Sequence, residues 1–214
     1  PRSPADMSRR RLLLHAAISG AAGIATTAPA MAATGAVPAA PRRTSRTPAG
    51  PTLLTVSGRI GPGNRPALDA ALDQMMVRQK IAFDRAYAFD FAMLAAMPAQ
   101  AIRPTLEYDR RPHALSGPLL ADVLRTCEAS LDGDAMLVLR AVDGYAIQVP
   151  AAEALQRRFI VATHLDGRPM PLGGLGPLWA VYDADRFADM AALPVTQRFV
   201  SCPWALYHVE VAAA

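Results

Sequence analysis

The chain has 214 residues, a formal net charge of +4 and 52% hydrophobic residues. Its excess positive charge sits at the N-terminal end, on Arg2, Arg9, Arg10, Arg11, Arg42, Arg43 and Arg46, and the remainder is slightly acidic. The high overall isoelectric point therefore says nothing of a basic face on a folded domain, and no nucleic-acid partner is expected.

Residues 1–32 have the order of a twin-arginine signal segment. Arg9, Arg10 and Arg11 precede an apolar stretch through Ile18 and Ile24, and small residues follow around Ala28, Ala30 and Ala32. His15, Ser19, Thr26 and Thr27 interrupt that stretch, which falls short of the ~20 apolar residues of a spanning helix. The expected location is the periplasm, with cleavage near residues 30–33. Residues 33–51, rich in Ala, Pro, Thr and Arg, cannot bury enough apolar surface to order themselves and read as a tether. Residues 52–214 are then one domain, long enough for a sizeable core.

Within that domain, residues 52–60 are β-branched and apolar and stop at the breaker cluster Gly61, Pro62, Gly63 and Asn64, which predicts a first strand. Pro66 followed by Leu68, Leu72, Met75 and Met76 at helical spacing predicts a helix over 66–79, its methionines filling core. Tyr87 and Phe89 alternate as in a strand, and Asp90 is placed to cap a short helix closed by Pro98. Residues 101–108 read as extended and 109–116 as a polar loop, after which Pro118 opens a helix carrying Val123, Leu124 and Cys127. Two apolar runs flank Asp143-Gly144, a preferred hairpin dipeptide. Residues 151–157 form a short helix, and a second Asp-Gly turn stands at 166–167. Apolar runs at 159–163, 178–182 and 205–211 complete the strands. Strands interleaved with short helices and hairpins predict an α+β fold built on a mixed sheet.

Six segments in order resemble the oxidoreductase molybdopterin-binding domain, the fold first associated with sulfite oxidases: 54–58, 89–98, 115–124, 143–150, 160–170 with 176–179, and 204–211. The resemblance implies an exported oxidoreductase-like protein. It also implies a pyranopterin holding molybdenum with a protein cysteine as ligand, and a periplasmic or membrane redox partner. In this family the cysteine lies in the segment corresponding to residues 102–114, where this chain has none. A lysine that precedes the terminal tryptophan in many catalytic members is replaced by Pro203 before Trp204. A second reading follows from these departures: a catalytically inactive member of the fold that binds a small anion or a partner protein.

The residues nearest the implied cofactor position are Arg110, Arg111 and His113, followed by Ser116 and Gly117, whose turn before a helix would present N–H groups to an anion or pterin phosphate. Arg198 joins them if the C-terminal segment folds back. Cys127 and Cys202 read as buried thiols or as a bridge, which geometry decides. The histidines lack metal-ligand spacing, and no Gly-rich phosphate loop or nucleophile elbow is present.

Overall fold

The computed structural model describes residues 46–213, so the signal segment and most of the tether lie outside the described residues. The strands are β1 (Thr52–Gly58), β2 (Arg65–Pro66), β3 (Arg85–Asp90), β4 (Ala99–Ile102), β5 (Leu115–Pro118), β6 (Met136–Ala141), β7 (Ala146–Pro150), β8 (Ile160–Ala162), β9 (His164–Leu165), β10 (Arg168–Pro169), β11 (Trp179–Val181) and β12 (Leu206–Ala212). Between them lie α1 (Gln74–Arg78), α2 (Phe91–Ala95), α3 (Leu120–Thr126), α4 (Ala151–Gln156) and α5 (Ala188–Ala191). The fold is α+β, as the interleaving of strands, hairpins and short helices predicts. No helix among the described residues is long and apolar enough to cross a membrane.

The main sheet runs β2-β3-β1-β12-β6-β7. β12 sits in its middle, parallel to β1 and antiparallel to β6. A four-stranded sheet, β10-β9-β5-β4, and the pair β11-β8 lie beside it. On one face of the main sheet Leu54, Val56, Leu137, Leu139, Val209 and Val211 are buried with Val123, Leu124, Phe159, Trp179 and Tyr182 in one core. Burying each such side chain contributes about 1.5–3 kcal/mol.

The other face is also covered. A register irregularity between Leu206 and His208 marks a bulge in β12, and Tyr207 packs with Met76 and Ile81 in a second, smaller cluster. His208 is fully buried there. Its Nε2 lies 3.0 Å from Ser57 Oγ and its Nδ1 3.2 Å from an Arg140 guanidinium nitrogen. Arg140 in turn pairs with Glu210 at 2.8 Å. Burial, then the charges of Arg140 and Arg65, push His208 down to about 3, so the imidazole is neutral.

Three expectations are corrected. The extended run expected over 101–108 ends with β4 at Ile102, and the chain turns at 107–109. Residues 66–79 are not one helix: Pro66 closes β2, and only Gln74–Arg78 is helical. The apolar spacing predicts a core-facing stripe, but Leu72 is 81% exposed and Met75 43%, and of the α1 residues only Met76 is buried. The turn before α1 is instead ordered by Asp69, whose carboxylate accepts from the N–H groups of Ala71 and Leu72. Nor does Pro118 open a helix: it ends β5, and α3 begins at Leu120 after Leu119. The Asp90 cap is as expected, its carboxylate accepting from Met93 N–H at 2.7 Å, and Gly144 adopts φ 96° in the 143–144 hairpin turn.

Gly117 shows why β5 needs a glycine. A Cβ there would be driven into the carbonyl of Val161, where β5 passes closest to β8. Gly117→Ala therefore has to displace backbone and is expected to lower unfolding free energy by about 3 kcal/mol, read as a lowered urea midpoint with unchanged slope. His208 has a different signature. Its folded pKa is depressed, so below about pH 6.5 the unfolded chain takes up a proton that the folded protein refuses, and stability falls as the pH drops toward about 3. Between pH 7 and 5 this contributes a loss of about 2 kcal/mol that His208→Gln lacks, measured by comparing urea unfolding of the two proteins at both pH values.

Candidate functional site

The segment between β4 and β5, residues 103–114, is the one the sequence singles out, and carboxylates fix it at both ends. At its root, Asp183 accepts from Arg103 N–H at 3.5 Å and Asp185 from Thr105 N–H at 2.7 Å. Asp185 is itself held by Arg198 at 2.7 Å, and the same guanidinium donates to the carbonyls of Leu193 and Ala191. Arg198 thus does come back to this segment, but its donors are used on the protein itself. Leu106 is buried beneath the turn and bonded to Arg111 O, with Arg110 N–H donating back to Leu106 O.

At the far end of the segment His113 lies between two carboxylates. Its Nδ1 is 2.7 Å from Asp166 Oδ2 in the β9-β10 turn, and its Nε2 is 2.9 Å from Asp109 Oδ2. Carboxylates only accept, so both ring nitrogens carry hydrogen and the ring is an imidazolium. Asp166 first, then Asp109, raises the His113 pKa above its ordinary value, while His113 holds both carboxyls below the usual carboxylate range. Asp166 also accepts from Ala114 N–H at 2.9 Å.

Arg110 and Arg111 are exposed at the tip and carry no ion pair among the described residues. Ser116 and Gly117 lie inside β5, paired with His164, Gln100 and Ala101, and present no helix N-terminus to an anion. The structure therefore gathers Arg110, Arg111, His113 and, through Asp185, Arg198 around one segment. It leaves Ser116 and Gly117 as strand residues. The charge of His113 is already matched by two aspartates.

This anchored segment presents Glu107 and Tyr108 to a concavity of about 140 Å³ whose other walls are the 141–145 hairpin end and residues 199–204. Glu107 and Asp143 bring carboxylates, Tyr108, Tyr145 and Trp204 bring rings, and among the described residues no Lys, Arg or His lines it. These three rings are among the exposed large side chains of the molecule, at 58%, 44% and 39%. Partial burial, then the Glu107 carboxylate, pushes the Tyr108 hydroxyl up to about 12, so it remains a donor. Tyr145 OH donates to Val200 O at 2.7 Å, tying the hairpin end to the 199–204 wall. Cys202 also lines the hollow but is buried, and burial pushes its thiol up to about 12. Cys127 is buried at the C-terminal end of α3, and the two cysteines are not bridged.

Sequence reasoning named residues 102–114 and Trp204 separately and missed the pocket they form with Asp143 and Tyr145. The available signal was the Asp143-Gly144 turn, which the β12 register carries to the same end of the sheet as Trp204.

A molybdenum–pterin centre of the kind the family resemblance implies does not fit these residues. The soft thiolate it requires is absent, since the one sulfur at the pocket is a buried, protonated thiol. The walls are acidic where a pterin phosphate wants cations. No group of three His, Cys, Asp or Glu side chains among the described residues is arranged to hold a metal ion.

The His113 clamp is complete in the window between its depressed carboxyls and its raised imidazolium, and loosens as the pH climbs through the His113 pKa. A ¹H–¹⁵N NMR titration is expected to give a His113 midpoint above 6.5, followed by the Glu107 and Tyr108 amides, with Asp166→Asn moving the midpoint down. A midpoint at or below 6.5 would remove the clamp.

No protein-family model and no curated protein matches the chain. Among solved structures it is similar to the crystal structure of the sulfane dehydrogenase SoxCD from Paracoccus pantotrophus, with 11% sequence identity and a TM-score of 0.45 over 74% of this chain. The match takes in 37% of the matched chain, so this chain spans little more than a third of that chain's length, and at this level the likeness assigns it no cofactor and no activity.

Proposed function

We propose that this is an exported binding domain, without molybdenum chemistry of its own, whose pocket takes the cationic headgroup of a small organic ligand. The observation that carries the reading is the lining: two carboxylates and three exposed rings around one hollow, and no basic side chain among the described residues. Ring faces attract cations by about 0.5–2 kcal/mol each, more as water is excluded, and Trp is the best of them. Neighbouring carboxylates add long-range attraction and would repel a phosphate or sulfate, which is why the cation is preferred to the small anion that the sequence suggests.

Size narrows the ligand. About 140 Å³ is well below the roughly 300–1,000 Å³ of pockets that enclose drug-sized molecules, so a methylammonium, guanidinium or quaternary ammonium group fits and an intact pterin does not. Export rests on the arginine run and apolar stretch of residues 1–32. A periplasmic domain of this kind captures amines or presents a docking point for a basic partner.

Trp179 is buried and Trp204 exposed, so a change in the red-shifted part of the tryptophan emission reports on the pocket. Titration with tetramethylammonium and with guanidinium is expected to give saturable binding in the millimolar range, weakened about tenfold in Glu107→Gln/Asp143→Asn. Saturation by phosphate instead of the cations, or no response to either, would overturn the proposal.

A further inference from the structure

The acidic pocket has a neighbour. A second hollow of about 180 Å³ is walled by Ile147, Val149, Tyr182 and Met190 and shares Val200 with the first. Its charged side chains are matched within the protein, Arg198 by Asp185 and Glu153 by Arg157. One hollow therefore attracts a cation, and the other offers a neutral, largely apolar surface.

Both hollows follow the same strand. Tyr145 lines the first, and Ile147 and Val149 line the second; as alternate residues they share one face of β7 and its approach. Among the described residues β7 is the outermost strand of the main sheet and pairs only with β6. Ala141 N–H donates to Tyr145 O, so the alternation of an antiparallel ladder gives Ile147 and Val149 the bonds to β6. It leaves the N–H and C=O groups of Ala146 and Gln148 directed away from the sheet. An unpaired row of backbone groups beside two side-chain hollows of different chemistry is what an extended peptide requires.

Resting on the cation reading of the first pocket, we infer that this margin takes an extended segment of a partner protein as an added strand along β7. A lysine or arginine of that segment enters the Glu107–Asp143 hollow, and an apolar side chain two residues away enters the hollow at Ile147 and Val149. Alternate side chains of a strand are about 7 Å apart, which matches one step from Tyr145 to Ile147. Charge complementarity selects the basic residue. The backbone groups of Ala146 and Gln148 supply affinity that does not depend on sequence.

The test uses the full chain and a blocked threonine heptapeptide with a central arginine and a leucine two residues to either side, so that it can bind in either direction. Calorimetry is expected to show it binding at least tenfold tighter than N-acetyl-arginine amide. Replacing the central arginine by glutamate, replacing both leucines by threonine, and N-methylating alternate peptide nitrogens should each lose about tenfold. If the peptide binds no tighter than N-acetyl-arginine amide, the added strand is overturned while the cation pocket stands. If neither binds, both readings fall. Peptide affinity indifferent to N-methylation would also overturn strand addition, as would self-association of the chain that the peptide cannot displace, which would make a second copy the occupant of β7.

Discussion

Everything in this molecule depends on β12 lying between β1 and β6. It makes the single parallel pairing among the described strands of the main sheet and both long ladders of its centre. Its register sets the site as well as the core. Pairing Leu206 with Ala141 puts Trp204 beside the hairpin end that carries Asp143 and Tyr145, and the loop holding Glu107 and Tyr108 closes over both. Because side chains on a strand alternate, a slip of one residue would turn Val209 and Val211 out of the core and lose the buried contact of His208 with Ser57. The neutral imidazole thus marks the correct register: only there does a polar ring on this face find both its partners.

Charge organises the site more than shape does. The loop between β4 and β5 carries three arginines and a histidine, and a basic loop of this composition invites an anion. In the folded protein Asp183 and Asp185 hold the loop's root, while Asp109 and Asp166 take up the charge of His113. Its cations are therefore either matched or turned to solvent, and its one acidic residue facing inward, Glu107, joins Asp143 in the pocket. Fixing the loop and making the pocket acidic are two results of the same distribution of carboxylates. The arginines that a phosphate would need, Arg110 and Arg111, are exposed and do not line the pocket.

Much of the fold was legible in the sequence wherever a local rule also holds in the folded state. Asp90 caps the helix it precedes, Asp143-Gly144 turns its hairpin, and the alternation over 205–211 becomes β12. The rules failed where packing overrides local preference. Leu72 and Met75 have helical spacing but face solvent, so the segment folds as a short strand, a turn and one helical turn-and-a-half. Pro118 looks like a helix opener, yet β5 needs Gly117 at its crossing with Val161, and the strand continues to Pro118. The site was half legible: residues 102–114 and Trp204 stand out by comparison with a known family, but the partners of His113 lie 53 residues away in Asp166 and four away in Asp109, and no spacing announces them.

The covering of the second face has a dynamic consequence. Residues 65–83 are held to the sheet by a small cluster, Met76, Ile81 and Tyr207, by the Gln79–Tyr207 bond and by Arg65 reaching Thr55 and Asp73 over the ring of Phe83. That is far less buried surface than holds the opposite face, so this segment can lift without the core melting, as a cooperative unit of its own. When it lifts, His208 meets water and regains an ordinary affinity for protons. Hydrogen exchange over residues 65–83 is thereby coupled to acidity: each proton captured by the exposed imidazole keeps the cover from reclosing over the buried ring.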